Sequence, residues 1–573
     1  MAQEIKLPGA PNDNPGTEKN LLIAFLLMGV VIFGTQYFLP QQAPPAEVKK
    51  EAKAKAPAPG EKAAVEKAAA LESAAPVSGE AVKGTREETH RIETDLYRVT
   101  FSSRGGVVTS WVLKKYLDSR RKPLELVHER GVKKTGYPFS IQLNGEDLKP
   151  NVNAELFAVT KAADGLGIEF EYAEGANRVK KRFRFEKNQY VVGVKSELVL
   201  NGAPVAHNLA WRGGFGDHHA FHAYSLGTTV RYDLTAEKLE TKTASEAAKS
   251  WSTDVGQYLF AGLQDQFFAI VALNKAGRQL ELQTTSDKFV PFSDPDGNEQ
   301  ANIGMAVGGA PVNELDFYVG PKDLDVLKAV DQRLEKLVDF GKYFGIVAKP
   351  LFYALNYVNN NFIHNYGWSI IAVTVIINLL LLPLKLSSMK SMQKTALIKP
   401  ELDRINEKYK GIAMTDPRAA KKNEEMMELY KKHGINPAGG CLPLLLQMPF
   451  LIGFYSVLSV AIEMRQASWL WVTDLSQPET IPIRLLPVAM VVTQFLLQKM
   501  TPSAGMDPQQ QRIMLLMPLL FAFMFYGASS GLVLYWLTGN VFAMLQQYVY
   551  SKMKPAPVTP PSQAVVNAKK KKK

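Results

Sequence analysis

The strongest constraint on this chain is a set of long apolar runs. Leu21–Leu39 carries no charge, and Trp368–Leu384, Leu442–Ile462, Ile481–Leu497, Ile513–Ala528 and Gly531–Tyr548 crowd the last third. A helix crossing a bilayer core needs about 20 mainly apolar residues, so the pattern predicts six spans, several of them short. Pro443, Pro449, Pro487 and Pro518 interrupt three of the runs. Prolines are tolerated in spans whose neighbours satisfy the freed backbone groups. Short spans imply a locally thinned bilayer or a span that ends in a wet cavity.

One run is unusual inside. Between Trp368 and Leu384 lie two polar residues, Thr374 and Asn378, spaced i, i+4 and so on one helix face. A lysine-rich helical segment with Lys385, Lys390, Lys394 and Lys399 follows at once. Further on, Lys399–Lys410 and Asp416–His433 read as two helices with a turn over 411–415, an antiparallel hairpin outside the membrane.

The middle of the chain has a different period. Residues 40–88 are almost wholly Ala, Pro, Glu, Lys, Gly and Val and bury too little apolar surface to offset their ordering entropy, as expected of a flexible linker. From Arg91 to Gly320 polar and apolar residues alternate, as in Lys181-Arg182-Phe183-Arg184-Phe185, with turn signals at Asn144-Gly145, Asn201-Gly202 and Asp296-Gly297. That period of two predicts a large all-β sandwich able to fold alone. His218, His219 and His222 cluster in one loop, but no further ligand pattern completes a metal or acid–base site. Over 333–359 the apolar residues Leu337, Phe340, Phe344, Val347, Leu351, Leu355 and Val358 recur at helical spacing. This predicts an amphipathic helix in the membrane interface or against the β-domain, kinked or divided at Pro350.

Charge sets the topology. Residues 385–441 carry 12 Lys/Arg against 7 acids, whereas 463–480 carry Arg465 against Glu463, Asp474 and Glu479, and the chain ends in Lys569–Lys573. By the positive-inside rule the first loop and the tail are cytoplasmic and the second loop lies outside. Lys49, Lys50, Lys53 and Lys55 after the first span disagree, but they sit among acids, and large domains cross largely regardless of charge. Gln36–Pro40 is too bulky for a cleavage site, so 21–39 reads as an uncleaved first span. The expected plan is a cytoplasmic terminus (1–20), a first span (21–39), a linker (40–90), a periplasmic β-sandwich (91–332) and an interfacial helix (333–360). There follow a second span (361–384), a cytoplasmic hairpin (385–441), a third span (442–462), a periplasmic loop (463–480) and a fourth span (481–498). A cytoplasmic loop (499–512), fifth and sixth spans (513–528 and 529–550) and a basic tail (551–573) complete it. The single cysteine, Cys441, rules out an internal disulfide and any multi-cysteine zinc site. A phosphate-loop motif is absent from the sequence.

Several segments resemble the YidC family of membrane-protein insertases, in its Gram-negative form with a large periplasmic domain; the mitochondrial oxidase-assembly and chloroplast Albino-type insertases belong to the same family. The residues that carry the resemblance are Asn365-Tyr366-Gly367-Trp368-Ser369-Ile370-Ile371, Asn436–Pro443, Leu446-Gln447-Met448-Pro449, Gln498-Lys499-Met500, Ser530–Trp536 and Gln546-Gln547. The resemblance implies a polytopic α-helical protein with a five-helix insertase core, no cofactor, no metal and no enzymatic activity. It implies a hydrated groove in the inner leaflet, open to cytoplasm and lipid, that lowers the cost of bringing a polar segment into the membrane. It also implies nascent membrane proteins as substrates and the Sec translocon, the ribosome and membrane lipids as partners. The hairpin and Lys569–Lys573 would meet the ribosome, and Lys385, Lys390 and Lys394 would line the cytoplasmic face.

By resemblance, the groove residues are Thr374, Asn378, Thr493, Tyr535 and Trp536; helix–helix packing is the alternative role for each. Gln447, Gln494 and Asn540 are further polar residues in spans, where interhelical hydrogen bonding is the plainer role. The chain departs from the family at Asn378, where bacterial members usually carry an arginine. Asparagine can still hold water but supplies no charge, so apolar replacement is expected to be tolerated better here than at the family's arginine. Lys385, about 10.5 Å further along the same face, could restore part of the field, although Pro383 disturbs the geometry between them. Competing functions are a small-solute transporter or channel, and a membrane-tethered enzyme acting on sugars through the β-domain. Neither internal repeats nor ionisable residues for ion coupling favour a transporter.

Overall fold

The computed structural model describes residues 81–145, 147–219, 227–249, 251–275, 277–290, 297, 299–341, 344–410, 416–435, 442–501 and 508–552. The first span, most of the linker, the hairpin turn at 411–415, the Asn436–Cys441 motif, His222 and Lys569–Lys573 lie outside the described residues.

The described residues of 89–321 form three antiparallel sheets of four, ten and five strands. Within the ten-stranded sheet, Val312–Pro321 lies between Phe268–Leu273 and Val191–Leu200. The alternation in sequence becomes alternation of faces: along Asn177–Phe185, Val179, Phe183 and Phe185 point inward while Arg178, Arg182 and Arg184 stay exposed. Asn201 and Gly202 both have positive φ, 52° and 79°, the pairing that a two-residue hairpin turn requires. The sheets close on an aromatic core. Trp111 of the four-stranded sheet packs 6.3 Å from Trp211 of the five-stranded sheet and 5.9 Å from Phe185 of the ten-stranded sheet, centroid to centroid.

One inward position of the strand Asn177–Phe185 is not apolar. Lys181 is fully buried, and its ammonium donates to the carbonyls of Gly105 (2.8 Å), Gly106 (3.4 Å) and Phe139 (2.8 Å). Three acceptors match its three donors. Gly105 and Gly106 have φ of 73° and 56°, a left-handed turn open to glycine that presents both carbonyls to the lysine. Burial pushes this lysine down to about 7.

The C-terminal part is helical: α1 (Gly345–Val358), α2 (Tyr366–Leu380), α3 (Leu382–Leu397), α4 (Lys399–Lys408), α5 (Pro417–Lys432), α6 (Leu442–Val460), α7 (Leu485–Met500), α8 (Pro508–Phe525) and α9 (Ser530–Lys552). The amphipathic helix starts later than its apolar spacing suggests. Residues 332–337 are a 3-10 turn with Leu334 and Leu337 buried, and Gly341, at φ 87°, separates them from α1. Pro350 does not divide α1; the break falls at the wide turn Asn359–Ile363 and at His364, φ 56°. One side of α1 buries Ala348, Leu351, Phe352 and Leu355, with Phe340 against Phe352, while Ile346, Tyr353 and Tyr357 are exposed.

Among the described residues, no single helix is long and apolar enough to cross a membrane. Gly345–Ile363 and Tyr366–Leu380 pass that test only together, bent by 117°, and Gln447–Val460 and Leu485–Met500 are shorter apolar helices. The second apolar run begins as a helix at Tyr366, not at 361, because Asn365 caps it: its side chain accepts from the Trp368 N–H at 3.2 Å. At the other end only Leu381 separates α2 from α3. Pro383 sits in the first turn of α3, where its missing N–H costs nothing. The expected hairpin is present as α4 and α5, joined by a small core of Ile398, Leu402, Leu429, Tyr430 and Ile435 and by Lys408–Glu425 at 2.5 Å.

Candidate functional site

The polar residues that the sequence singles out in the apolar runs fall into two groups. The first runs down α2 into α3. The Thr374 hydroxyl donates to the Ile370 carbonyl (2.6 Å), the Asn378 amide donates to the Thr374 carbonyl (2.7 Å), and the Lys385 ammonium donates to Asn378 Oδ1 (2.5 Å). All three side chains are buried. The short break at Leu381 is what lets Lys385 reach back across about two turns. Lys385 is therefore not part of an exposed basic face: Lys390 and Lys394 are exposed, and Lys385 is not. Nor is Asn378 merely a neutral substitute for a charge, since it holds one.

The second group joins α7 to α9. Asn540 donates to Thr493 Oγ1 and to the Met490 carbonyl, both at 3.3 Å, and the Trp536 indole donates to Gln494 Oε1 at 3.2 Å. The Thr493 hydroxyl lies 2.9 Å from the Ala489 and Met490 carbonyls. Gln447 of α6 approaches Gly539: a Cβ there would lie 3.4 Å from the Gln447 amide nitrogen. Gln494 and Asn540 thus both hydrogen-bond across helices. Tyr535 stacks on Phe454 at 4.3 Å and 20°, and Trp536 packs 5.4 Å from Phe521 and 5.2 Å from Phe525. Both aromatics are buried.

The Asn365–Ile371 motif has a structural account that sequence reasoning missed. Besides capping α2, Asn365 donates to the Ser468 carbonyl at 3.0 Å, and the Ser369 hydroxyl returns to the Asn365 carbonyl at 2.8 Å. Gly367 lies flat against the Trp469 indole, where any Cβ would overlap the ring. The motif clamps the start of α2 to the loop after α6.

That loop also holds the β-domain. Arg465 pairs with Asp217 at 2.7 Å, with both side chains buried, and the Gln466 amide donates to the carbonyls of Leu117 (3.0 Å) and Asp118 (2.9 Å). Gln266 donates to the Ser459 carbonyl at 2.7 Å. Next to this contact His218 packs edge-on against His128 at 3.9 Å, and burial pushes His218 down to about 4. Among the described residues no group of three or more His, Cys, Asp or Glu side chains could hold a metal ion.

Residues 89–354 match the family profile described as the YidC periplasmic domain, and 358–557 match that of the 60 kDa inner membrane protein. A membrane protein insertase YidC from Syntrophus aciditrophicus is 31% identical over 558 residues, covering 93% of this chain and 99% of the relative. The chain belongs to the YidC family of membrane protein insertases. The YidC insertase of Geotalea daltonii is 32% identical, covering 94% of this chain and 100% of the relative. A crystal structure of an active YidC insertase with its first transmembrane domain resolved covers 83% of this chain and 94% of its own, at 19% identity and a TM-score of 0.34. As a YidC-family chain it is an inner membrane protein with a periplasmic domain, and the family is one of insertases rather than enzymes.

Proposed function

We propose that this chain inserts and helps fold integral inner-membrane proteins, alone or with the Sec translocon, through a hydrated groove open to cytoplasm and lipid. The observation that carries the reading is the near-full-length match to curated insertases; the buried polar ladder Thr374–Asn378–Lys385 supports the groove. The chain spans the membrane six times with both termini in the cytoplasm, a topology supported by the distribution of lysine and arginine. The exposed aromatic side of α1 suits the membrane interface. The exposed Lys390 and Lys394, the α4–α5 hairpin and Lys569–Lys573 face the cytoplasm and meet the ribosome and anionic lipid.

Hydration in the groove lowers the desolvation cost of a substrate's polar leading segment, while its apolar segment passes into lipid. The driving force is the substrate's own hydrophobicity together with the membrane potential, about 2.3 kcal/mol per charge per 100 mV.

The test is reconstitution of the purified chain in proteoliposomes. Protease protection of a single-span test protein, above that of empty vesicles, is the expected result. Flux of small solutes without insertion would replace the reading with a transporter.

A further inference from the structure

The loop between α6 and α7 carries a tight hairpin with an apolar tip. Trp469 and Val472 bond across it in both directions, N–H to carbonyl, at 2.9 and 2.8 Å, so Leu470 and Trp471 are its two central residues. Such positions ordinarily hold Gly, Asn or Asp, and Leu470 has φ 49°, a conformation that glycine adopts without steric cost. Leu470 is 64% exposed and Ile483, just ahead of α7, is 67% exposed; Trp471 and Trp368 are exposed as well.

The charges of the same loop are engaged within the protein. Between 465 and 484 they are Arg465, Asp474, Glu479 and Arg484. Arg465 is paired with Asp217, and Asp474 accepts from the Ser476 N–H and hydroxyl at 2.9 and 2.6 Å. Glu479 accepts from the Trp471 indole at 2.5 Å and from the Leu486 N–H at 2.9 Å. Arg484 donates to the Tyr526 carbonyl and lies 4.8 Å from that ring's centroid. Charges satisfied inside and large apolar groups outside reverse the order of a water-facing loop, and an exposed apolar patch of this kind marks a contact surface.

We propose that the tip Leu470-Trp471, together with Trp368 and Ile483, is a lipid-docking surface seated in the interface of the outer leaflet. Position favours lipid over a protein partner. Trp368, in the first turn of α2, packs 5.5 Å from Trp469, and Ile483 leads into α7, so the patch lies where two apolar helices begin. Indole rings with a fixed N–H suit the boundary between headgroups and acyl chains. The side follows from the β-domain: besides Arg465 on Asp217, the Arg121 guanidinium donates to the Thr473 carbonyl at 3.1 Å, two residues from the tip. The loop therefore holds the periplasmic domain on one side and the membrane on the other.

The test uses the full chain with its single cysteine removed by Cys441→Ser. Leu470→Cys and Ile483→Cys each receive an environment-sensitive fluorophore, and Ala176→Cys, at an exposed turn of the β-domain, is the reference. In proteoliposomes the labels at 470 and 483 are expected to emit to the blue of the reference and to be quenched by aqueous iodide about threefold less. A nitroxide near the lipid glycerol should quench them more than one at the chain end, because interfacial apolar groups reach about 5–10 Å into the headgroup boundary. Iodide access equal to that at 176 overturns the proposal. Protection from iodide with no quenching by either nitroxide lipid means that protein covers the tip, and overturns it too. Should Leu470→Cys fail to fold, the label at 483 decides by the same readings.

Discussion

Arg465 and Asp217, 248 positions apart, form a buried ion pair at 2.7 Å that joins the loop after α6 to the periplasmic β-domain. Asp217 also accepts from the Ser119 hydroxyl at 2.8 Å and from the His219 N–H at 3.0 Å, and the guanidinium lies 5.4 Å from the Phe268 ring centroid. Removing one partner strands the other charge, a cost of about 3–5 kcal/mol. Arg465→Met is expected to raise hydrogen exchange in 117–122 and 465–473, and Arg465→Met with Asp217→Asn to recover most of the protection. Unchanged exchange in the single variant would show that the pair does not hold the domains together.

Asn378→Leu removes the acceptor on which Lys385 is buried. The cost of an unsatisfied buried group is about 1–3 kcal/mol, more for a charged one. Asn378→Leu is therefore expected to lower the unfolding temperature in detergent. Asn378→Leu combined with Lys385→Met should lie above Asn378→Leu alone. A single variant as stable as the parent would mean that the bond contributes nothing.

Asp265 sits at the hairpin tip beside the helical part, its Oδ1 accepting from the Phe267 and Phe268 N–H groups at 2.8 and 2.6 Å. Burial raises its carboxyl to about 6. A raised folded value means that its stabilising contribution is full below about pH 4 and lost as pH rises through about 6. Asp265→Asn keeps the acceptor without the charge. Relative to the parent it should gain up to about 3 kcal/mol between pH 4 and pH 8, at ~1.4 kcal/mol per pH unit. Parallel pH profiles of thermal unfolding for the two proteins would refute this.

Gly367→Ala drives a methyl into the Trp469 ring. Trp469 is fixed on its other sides by Trp368 at 5.5 Å and Trp471 at 5.7 Å, so the ring has little room to give. Overpacking of this kind costs about 1–3 kcal/mol, and the expected readout is a lowered midpoint with altered tryptophan near-ultraviolet dichroism. An unchanged tryptophan spectrum would place Trp469 away from α2.

The sequence alone determined what depends on local pattern. Period-two alternation along Asn177–Phe185 built a strand, the positive-φ pair Asn201-Gly202 built its turn, and the helical spacing of α4 and α5 built the hairpin. Family membership was also legible, because its motifs are contiguous. Tertiary structure decided the rest, since it depends on partners distant in sequence. Lys181 occupies an inward strand position that its polarity argues against, because three carbonyls from two other segments await it. Lys385 reads as one more lysine of a basic arm until the break at Leu381 and the Asn378 acceptor bury it. Gly367 reads as a weak helix residue until Trp469, 102 positions on, fills the space a side chain would take. Local periodicity specifies which face a residue occupies; only the folded chain specifies what stands opposite, and at a buried charge that partner sets the energy.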